Sequence, residues 1–419
     1  MYKLLIFLIF LINSLGFSFD YEVQTHAKRT IIKTIPISKT EEYISFILEG
    51  TWTDNLGNYG MIDRSFWKNR KVFITGHTGF KGSWLCMWLH KLEANVKGYS
   101  LEPPTNPSLF NEARISELVT SEIGDIRNFD NLTKSIYNFQ PEILIHMAAQ
   151  PLVRYSYAAP IETYEVNVLG TAHVLEAAKA CGSIKSVVCV TTDKCYENKE
   201  WVWAYRENEP MGGHDPYSSS KGCAELVTAS YRKSFFENRK IGLASARSGN
   251  VIGGGDWALD RLIPDILRAF ENNQPALIRN VNAVRPWQHV LEPLGGYLKL
   301  AQALYENPVK YAEGWNFGPN EDDSKTVSWI LDKMVKLWKD STWELDKSES
   351  NPHEANYLKL DISKAKSKLF WKPNWSLNET LSHIVNWHHA WLSGENMQEI
   401  SINEISNYML SMSEVKINK

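Results

Sequence analysis

Short β-rich runs alternate with helical stretches between Lys71 and Asn250, and this alternation constrains the fold more than any other feature. The runs VFIT, NVKGYS, EILIHMAA, SVVCVTT and GLASARSGN have the residue types of strands. Helical segments at 83–92 and 168–180 lie between them. Alternation of this kind indicates a parallel sheet with helices packed on both faces. The sequence therefore predicts an α/β fold built on a doubly wound parallel sheet.

A glycine-rich turn follows the first of these strands and leads into a helix. In the stretch TGHTGFKG, Gly76, Gly79 and Gly82 permit a tight turn and let a pyrophosphate approach the backbone closely. The helix N-terminus adds free N–H groups and a positive dipole. The spacing is G-x-x-G-x-x-G and differs from the usual G-x-G-x-x-G fingerprint. With a strand before it and a helix after it, the turn predicts a dinucleotide site in a Rossmann-type sheet.

The region after the second strand bears on which dinucleotide binds. An acid about 20 residues beyond the glycines usually bonds the ribose, and here GYSLEPP offers Ser100 and Glu102. No arginine lies there to meet a 2′-phosphate, so the sequence favours NAD over NADP. Asp125 and Ile126, in GDIRN, fit two roles equally well. They either contact the adenine or begin a helix that Asp125 caps.

Beyond Asn250 the strand pattern gives way to Gly-, Pro- and Trp-rich loops with isolated helices. We assign residues 61–250 to an NAD-binding Rossmann domain and residues 251–419 to a smaller, intercalated C-terminal α/β lobe that binds the substrate. Such a lobe closes over the carboxyl ends of the strands, where open α/β sheets bind ligands. Residues 1–60 are an N-terminal extension that contains LLIFLIFLI, a run typical of a signal peptide. Met61 also offers a start, so a targeting segment and a spurious extension are equal alternatives.

Charge and cysteine usage restrict the partners and the compartment. The net charge is -3 and the basic residues form no stripe, so neither nucleic acid nor an acidic membrane is an expected partner. The N-terminal apolar run is shorter than the roughly 20 residues that span a bilayer. The five cysteines are odd in number and include no C-x-x-C pair. They predict reduced thiols and a cytoplasmic protein. The signal-like N-terminal segment argues against the cytoplasmic location.

Two further stretches combine groups that can move protons. Tyr217 and Lys221, in YSSSK, lie four residues apart and share a helix face. A nearby cation lowers the pKa of a phenol, which predicts Tyr217 as acceptor of a substrate proton; the alternative is an ordinary surface pair. Thr192, Asp193 and Lys194 follow the apolar run SVVCV. Charged groups at a strand end belong either to a solvated loop or to a site.

Taken in their order along the chain, these motifs resemble those of the extended short-chain dehydrogenases/reductases. The resemblance covers about residue 71 to the C-terminal region and rests on GHTGFKG, HMAAQ, Asn167, the Thr-Thr strand end and YSSSK. It implies a homodimer or higher homo-oligomer paired through a helical bundle. It also implies that NAD is contacted, besides the glycines and Asp125-Ile126, by Thr78, Phe80, Ala148, Gln150, Asn167, Tyr217 and Lys221.

The triplet at the strand end resembles one branch of that family. Sugar-nucleotide 4,6-dehydratases carry Thr-Asp-Glu there, whereas Thr-Asp-Lys with RSGNVIGGGDW and RPWQHV is similar to the branch that dehydrates CDP-glucose. In that branch Tyr217 would take the C4 hydroxyl proton with Thr192 orienting the oxygen, and Asp193 would be the acid. Lys194 would be the C5 base or an electrostatic stabiliser of the enolate.

The same resemblance implies the contacts with the sugar nucleotide. The expected residues are Asn250, Arg261, Arg285, His289 and Tyr357. Three alternatives stay open at this point: a 4-epimerase, a dehydratase of another nucleotide sugar, and a non-catalytic NAD-binding protein with the same fold.

Overall fold

Seven parallel strands form the central sheet of the protein. The structure is a computed structural model that describes residues 22–26, 29–33, 61–346 and 357–413. The strands are β1 (Glu22–His26), β2 (Arg29–Lys33), β3 (Lys71–Thr75), β4 (Asn95–Ser100), β5 (Thr120–Ile123), β6 (Ile143–His146), β7 (Ser186–Val190), β8 (Gly242–Ser248), β9 (Val251–Ile252), β10 (Ala276–Ile278), β11 (Val284–Pro286), β12 (Gln288–His289), β13 (Gly314–Phe317), β14 (Ser324–Thr326) and β15 (Trp343–Leu345). The central sheet has the order β13-β8-β7-β6-β3-β4-β5.

Helices cover both faces of this sheet. They are α1 (Arg64–Trp67), α2 (Phe80–Lys91), α3 (Leu109–Glu112), α4 (Phe129–Phe139), α5 (Val153–Ala158), α6 (Pro160–Tyr164), α7 (Gly170–Ala180), α8 (Pro216–Tyr231), α9 (Leu262–Glu271), α10 (Leu291–Glu306), α11 (Val327–Leu337), α12 (Ser363–Lys368), α13 (Leu377–Leu392) and α14 (Met397–Ser413). Strands β3, β6 and β7 are buried on both faces, so their sequences are largely apolar and show no alternation with polar residues. One core joins the sheet to α2, α10 and α14, and another joins it to α4 and α7.

The strand order reverses between β3 and β6, which places a binding crevice at their carboxyl ends. Thr75 and His146 pair across this point, and Thr75 Oγ1 lies 2.7 Å from His146 Nδ1. The glycine turn follows Thr75, and the HMAAQ loop follows β6. The predicted Rossmann-type doubly wound sheet is confirmed.

The C-terminal part of the chain contributes to the same sheet. Strand β13 pairs with β8, and α10 packs against β7 and β8. Residues 60–419 form one compact unit, which accords with an intercalated lobe, and the boundary at residue 250 stays a prediction. Strands β1 and β2 form an antiparallel pair in the preceding unit, and the signal-like run lies outside the described residues. No helix in the described ranges is long and apolar enough to cross a membrane.

Candidate active site

A cleft of about 500 Å³ opens at the carboxyl ends of the strands. One wall comes from the end of β7, with Thr192, Asp193 and Lys194, and from the start of α8, with Tyr217. Other lining residues come from the C-terminal part of the chain and include Arg261. The sheet topology therefore brings together motifs that are far apart in the sequence.

The residues of TTDK are shaped by a tight turn at the end of β7. Thr192 is extended and caps a 3-10 turn that spans Asp193–Cys195. Its hydroxyl donates to Asp193 Oδ1 at 2.9 Å and accepts from the backbone N–H of Lys194 at 3.3 Å. The turn holds the carboxyl inside the cleft, so the stretch is part of a site and not a solvated loop.

Asp193 is the most deeply buried acid of this cleft wall, with 2 % exposure. Its second oxygen, Oδ2, has no hydrogen-bond partner in the described part of the chain. Burial raises the pKa of Asp193, although Lys194, the Thr192 hydroxyl and Arg285 oppose this shift. A carboxyl that retains its proton beyond the usual range can act as a general acid.

The electrostatics around Tyr217 differ from the prediction. Burial raises the pKa of Tyr217 to about 12, while a hydrogen bond with Thr192 and the charge of Arg261 oppose the shift. The expected lowering of this pKa by Lys221 is therefore wrong for the structure as described. Burial also lowers the pKa of Lys221 to about 8, because the cleft desolvates its ammonium. The predicted side chains are in place, but the phenol holds its proton.

The glycine turn has the shape that a dinucleotide requires. Gly76 adopts a φ of +81°, and a Cβ there would lie 2.7 Å from the backbone nitrogen of Ala148. A Cβ on Gly82 would lie 2.1 Å from the carbonyl oxygen of Gly76. Helix α2 begins at Phe80, and its N-cap residue Gly79 offers no side-chain hydrogen bond, so the first N–H groups of the helix are available to an anion. The turn fits the pyrophosphate of a dinucleotide, and Phe80 lines the adjoining cleft.

Gln150 and Asn167 form hydrogen bonds with each other and with a residue of α8. The backbone N–H of Gln150 donates to Asn167 Oδ1 at 2.9 Å, and Asn167 Nδ2 donates back to the carbonyl of Gln150 at 3.0 Å. Asn167 Nδ2 also donates to Ser220 Oγ, which lies in YSSSK. The pair thus ties the HMAAQ loop to α8, and a direct contact with the cofactor stays a prediction.

The structure excludes one of the two roles predicted for Asp125, that of helix cap. Asn128 caps α4, so Asp125 is not the helix cap. Asp125 instead bonds Arg127, with 2.6 Å between Oδ2 and Nη2, and Ile126 is buried in the core. Thr78 Oγ1 lies 2.9 Å from Ser100 Oγ at the end of β4. The adenine contact stays a prediction for Asp125 and Ile126.

The residues predicted to contact the sugar nucleotide divide into two groups. Asn250, Arg261 and Arg285 line the cleft. His289 does not: it is fully buried, and its Nε2 lies 3.0 Å from Glu404 Oε1. The substrate contact predicted for His289 is wrong, because β12 directs this ring into the aromatic core.

Tyr357 lies beside the cleft: the next residue, Leu358, lines it, and Asn198, also a lining residue, donates from Nδ2 to the carbonyl of Tyr357 at 3.0 Å. Its side chain is 36 % exposed, and its backbone bridges to Val284, next to Arg285. Its contact with a nucleotide stays a prediction.

Lys81, Ser248 and Asp256 are among the cleft residues that sequence reasoning missed. Lys81 lies between the glycines of the glycine motif, and Ser248 and Asp256 lie in RSGNVIGGGDW; no role was predicted for any of them from the sequence. Asp256 bonds Arg261 at 2.8 Å and so orients one of the predicted arginines. Only the tertiary fold places these residues in one cleft. No cluster of metal-ligating side chains occurs in the described ranges.

A family model described as GDP-mannose 4,6 dehydratase matches residues 73–384. The chain belongs to this family. It is 62 % identical over 355 residues to the CDP-glucose 4,6-dehydratase of Salmonella typhimurium, a match that covers 83 % of this chain and 99 % of the relative. It is 25 % identical over 354 residues to the GDP-mannose 4,6-dehydratase of Yersinia enterocolitica, covering 75 % of this chain and 93 % of that protein.

Solved structures agree with the fold. A UDP-glucuronic acid 4-epimerase from Bacillus cereus, in complex with UDP-glucuronic acid and NAD, superposes with a TM-score of 0.66 at 24 % identity. The match covers 77 % of this chain and 99 % of that chain. A dTDP-glucose 4,6-dehydratase from Bacillus anthracis in complex with NAD gives a TM-score of 0.63 at 21 % identity, over 78 % of this chain and 99 % of that one.

Proposed function

We propose that this protein is an NAD-dependent CDP-glucose 4,6-dehydratase, a hydro-lyase that converts CDP-glucose to CDP-4-dehydro-6-deoxyglucose and water. The observation that carries the proposal is the buried Asp193 carboxyl beside Thr192 and Tyr217 in one cleft. The relative that is 62 % identical over nearly its whole length carries the same activity in its name, and names the substrate.

The first proposed step is removal of the C4 hydroxyl proton. Tyr217 accepts this proton, and Thr192 orients the oxygen by a hydrogen bond. NAD, when bound, supplies the reversible oxidant that takes two electrons from C4 and returns them at C6. Tyr217 must lose its own proton first, and burial opposes this loss because it raises the pKa of the phenol. Lys221, one helix turn away on α8, is proposed to favour the phenolate by its positive charge.

The middle step needs an acid and a base on one side of the sugar. Asp193 donates its proton to the C6 hydroxyl, which leaves as water. Lys194 accepts the C5 proton, which the new C4 ketone has acidified. The two side chains are adjacent in the 3-10 turn that follows β7, which supports their action on neighbouring carbons of one sugar.

The arginines are proposed to hold the diphosphate of the substrate. Arg261 and Arg285 line the same cleft as Asp193 and can form charge-assisted hydrogen bonds to phosphate oxygens. Asn250 offers a further polar contact there. The cytosine itself has no assigned partner in the described residues.

A second copy of the chain is the proposed protein partner. Exposed aliphatic side chains lie on α6, on the following π-helical segment and on α8: Ile161 is 73 % exposed, Leu169 is 52 % exposed and Leu226 is 61 % exposed. Pairing of these helices with those of a second copy would bury them, and it supports a homodimer or a larger homo-oligomer.

The test of the function is incubation of the purified protein with NAD and CDP-, UDP-, GDP- or dTDP-glucose, followed by mass spectrometry. The expected result is loss of water from CDP-glucose alone. Loss of water from another nucleotide sugar would keep the chemistry and overturn the substrate. Conversion without loss of water would favour the 4-epimerase, and no conversion by a folded, NAD-binding sample would favour the non-catalytic alternative.

A further inference from the structure

Lys81 reaches into the floor of the cleft, although it belongs to the glycine motif. It lies in the first turn of α2, and its Nζ donates to Tyr297 OH at 2.9 Å and to Ser248 Oγ at 3.0 Å. Both acceptors are buried, and the Tyr297 ring centre lies 5.1 Å from Nζ. An ammonium has three N–H groups, and no third hydrogen bond of Lys81 occurs in the described part of the chain. One N–H is therefore available to a ligand in the cleft.

The charge on Lys81 has no carboxylate to neutralise it. No ion pair of Lys81 occurs among residues 61–346 and 357–413. Burial, together with repulsion from Lys221 and Arg261, lowers the pKa of Lys81 to about 7, and Asp193 opposes this shift. Burial raises the pKa of Asp193, and Asp256 already pairs with Arg261. Three basic groups, Lys81, Lys221 and Arg261, therefore lie near one another in this part of the fold.

A fixed positive group of this kind acts on charge that develops during the reaction. When the C5–H bond breaks, its electron pair forms a C4–C5 double bond, and the pair of the C4 carbonyl moves onto its oxygen. The proton goes to the base, Lys194 in the proposed mechanism. The resulting enolate then expels the C6 hydroxyl, which takes the proton of Asp193 and leaves as water. Donors held in place toward such an oxygen stabilise the transition state strongly.

We propose that Lys81 is a further catalytic residue, whose available N–H donates to the enolate oxygen of the substrate during loss of the C5 proton. This proposal rests on the proposed dehydratase function. The lysine exchanges no atom with the sugar; its two hydrogen bonds to Tyr297 and Ser248 hold it in position. The other anion that this cation could meet is the diphosphate of the cofactor, whose predicted turn is adjacent.

The experiment compares Lys81→Met and Lys81→Arg with Lys91→Met, a control at the other end of α2. It measures three quantities: formation of reduced cofactor in a single turnover, deuterium entry from solvent at C5, and the dissociation constant of NAD. We expect Lys81→Met to slow deuterium entry and water loss about 100-fold, the scale of removing one oxyanion donor. Cofactor reduction and NAD affinity should stay unchanged, and Lys81→Arg should recover part of the loss.

Four outcomes would overturn the proposal. Equal slowing of cofactor reduction and deuterium entry would indicate a structural role. Weaker NAD binding with normal turnover at saturating NAD would identify the cofactor diphosphate as the partner. Undiminished deuterium entry in Lys81→Met would remove Lys81 from the reaction while leaving the proposed function intact. A wild-type protein that binds NAD but releases no water from any sugar nucleotide would overturn both. Thermal unfolding checks each variant, and Lys81→Gln replaces Lys81→Met if the latter does not fold.

Discussion

Arg247 and Glu225 form a buried ion pair behind the strand end that carries Thr192. Arg247 Nη2 lies 2.7 Å from Glu225 Oε2, and both side chains are at most 6 % exposed. Thr191 Oγ1 donates to the other carboxylate oxygen at 2.5 Å. Glu225 lies on α8, one turn beyond Lys221 on the same face. The pair therefore fixes α8, which carries Tyr217, against the end of β7.

Replacing Arg247 by Met should destabilise the protein, because Glu225 would remain as a buried and uncompensated charge. The expected loss in the free energy of unfolding is about 3–5 kcal/mol. Urea denaturation measures it. The matched control is Arg64→Met, which removes an exposed ion pair with Glu93 and should change stability little. Similar losses in both variants would contradict the structural role of the buried pair.

Replacing Tyr217 by Phe should slow the first oxidation strongly, because the phenol proposed to accept the C4 hydroxyl proton is lost. The expected decrease is at least about 100-fold, the lower range for a general acid–base group. Formation of reduced cofactor in a single turnover measures it. Tyr231→Phe, on the same helix but away from the cleft, should retain full activity. A fully active Tyr217→Phe variant would remove the central assignment.

Replacing Asp193 by Asn should separate oxidation from dehydration. The amide cannot protonate the leaving C6 hydroxyl, so reduced cofactor should form while loss of water falls by about 100-fold or more. Mass spectrometry of the product measures the water loss. Lys194→Gln is the companion variant: normal deuterium entry at C5 with undiminished turnover would exclude Lys194 as the base.

The pH dependence should reflect the buried amines of the cleft. Burial lowers the pKa of Lys81 to about 7 and that of Lys221 to about 8, so both lose positive charge as the pH rises through that range. Since kcat/KM reports the free enzyme, it should fall between about pH 7 and pH 9. Tyr217, with a pKa of about 12, does not titrate there. Lys221→Arg keeps its charge and should remove the upper part of the decrease.

Replacing Leu226 by Glu should weaken the proposed homo-oligomer. A carboxylate at the centre of an apolar helix face would have to be buried on association, which is unfavourable. Sedimentation velocity measures the shift toward monomer. Val309→Glu, at another exposed apolar position, is the control and should leave the oligomer unchanged. A monomeric wild-type protein would contradict the proposal directly.

Much of the central fold is predictable because its strands are apolar runs with clear ends. NVKGYS is β4 without change of bounds, and SVVCV is β7. Strand β5 escaped prediction because Thr120–Ile123 is a partly exposed edge strand with polar residues. Strand β13 escaped it because Gly314–Phe317 is a short run within a loop-rich region, whose pairing with β8 is set by distant contacts.

The site was predictable where a motif couples residue types with a position at a strand or helix end. Thr192, Asp193 and Tyr217 met this condition. His289 did not, because a short motif such as RPWQHV cannot show which face of a strand is buried. Lys81 was missed because its hydrogen-bond partners, Tyr297 and Ser248, lie far from it in the sequence. The pKa of Tyr217 was misjudged because desolvation, which depends on the whole cleft, outweighs a neighbouring charge.

Because Asp193 is buried, the fit of the sugar in the cleft can affect the protonation of this carboxyl. Burial raises the pKa of its carboxyl, and a ligand that fills the cleft would expel more water and raise it further. In the proposed mechanism, a well-fitting sugar would thereby favour the protonated acid that its C6 hydroxyl requires. A poorly fitting sugar would leave water beside Asp193 and favour the carboxylate, which has no proton to give. Discrimination between sugars can then operate at the chemical step as well as at binding.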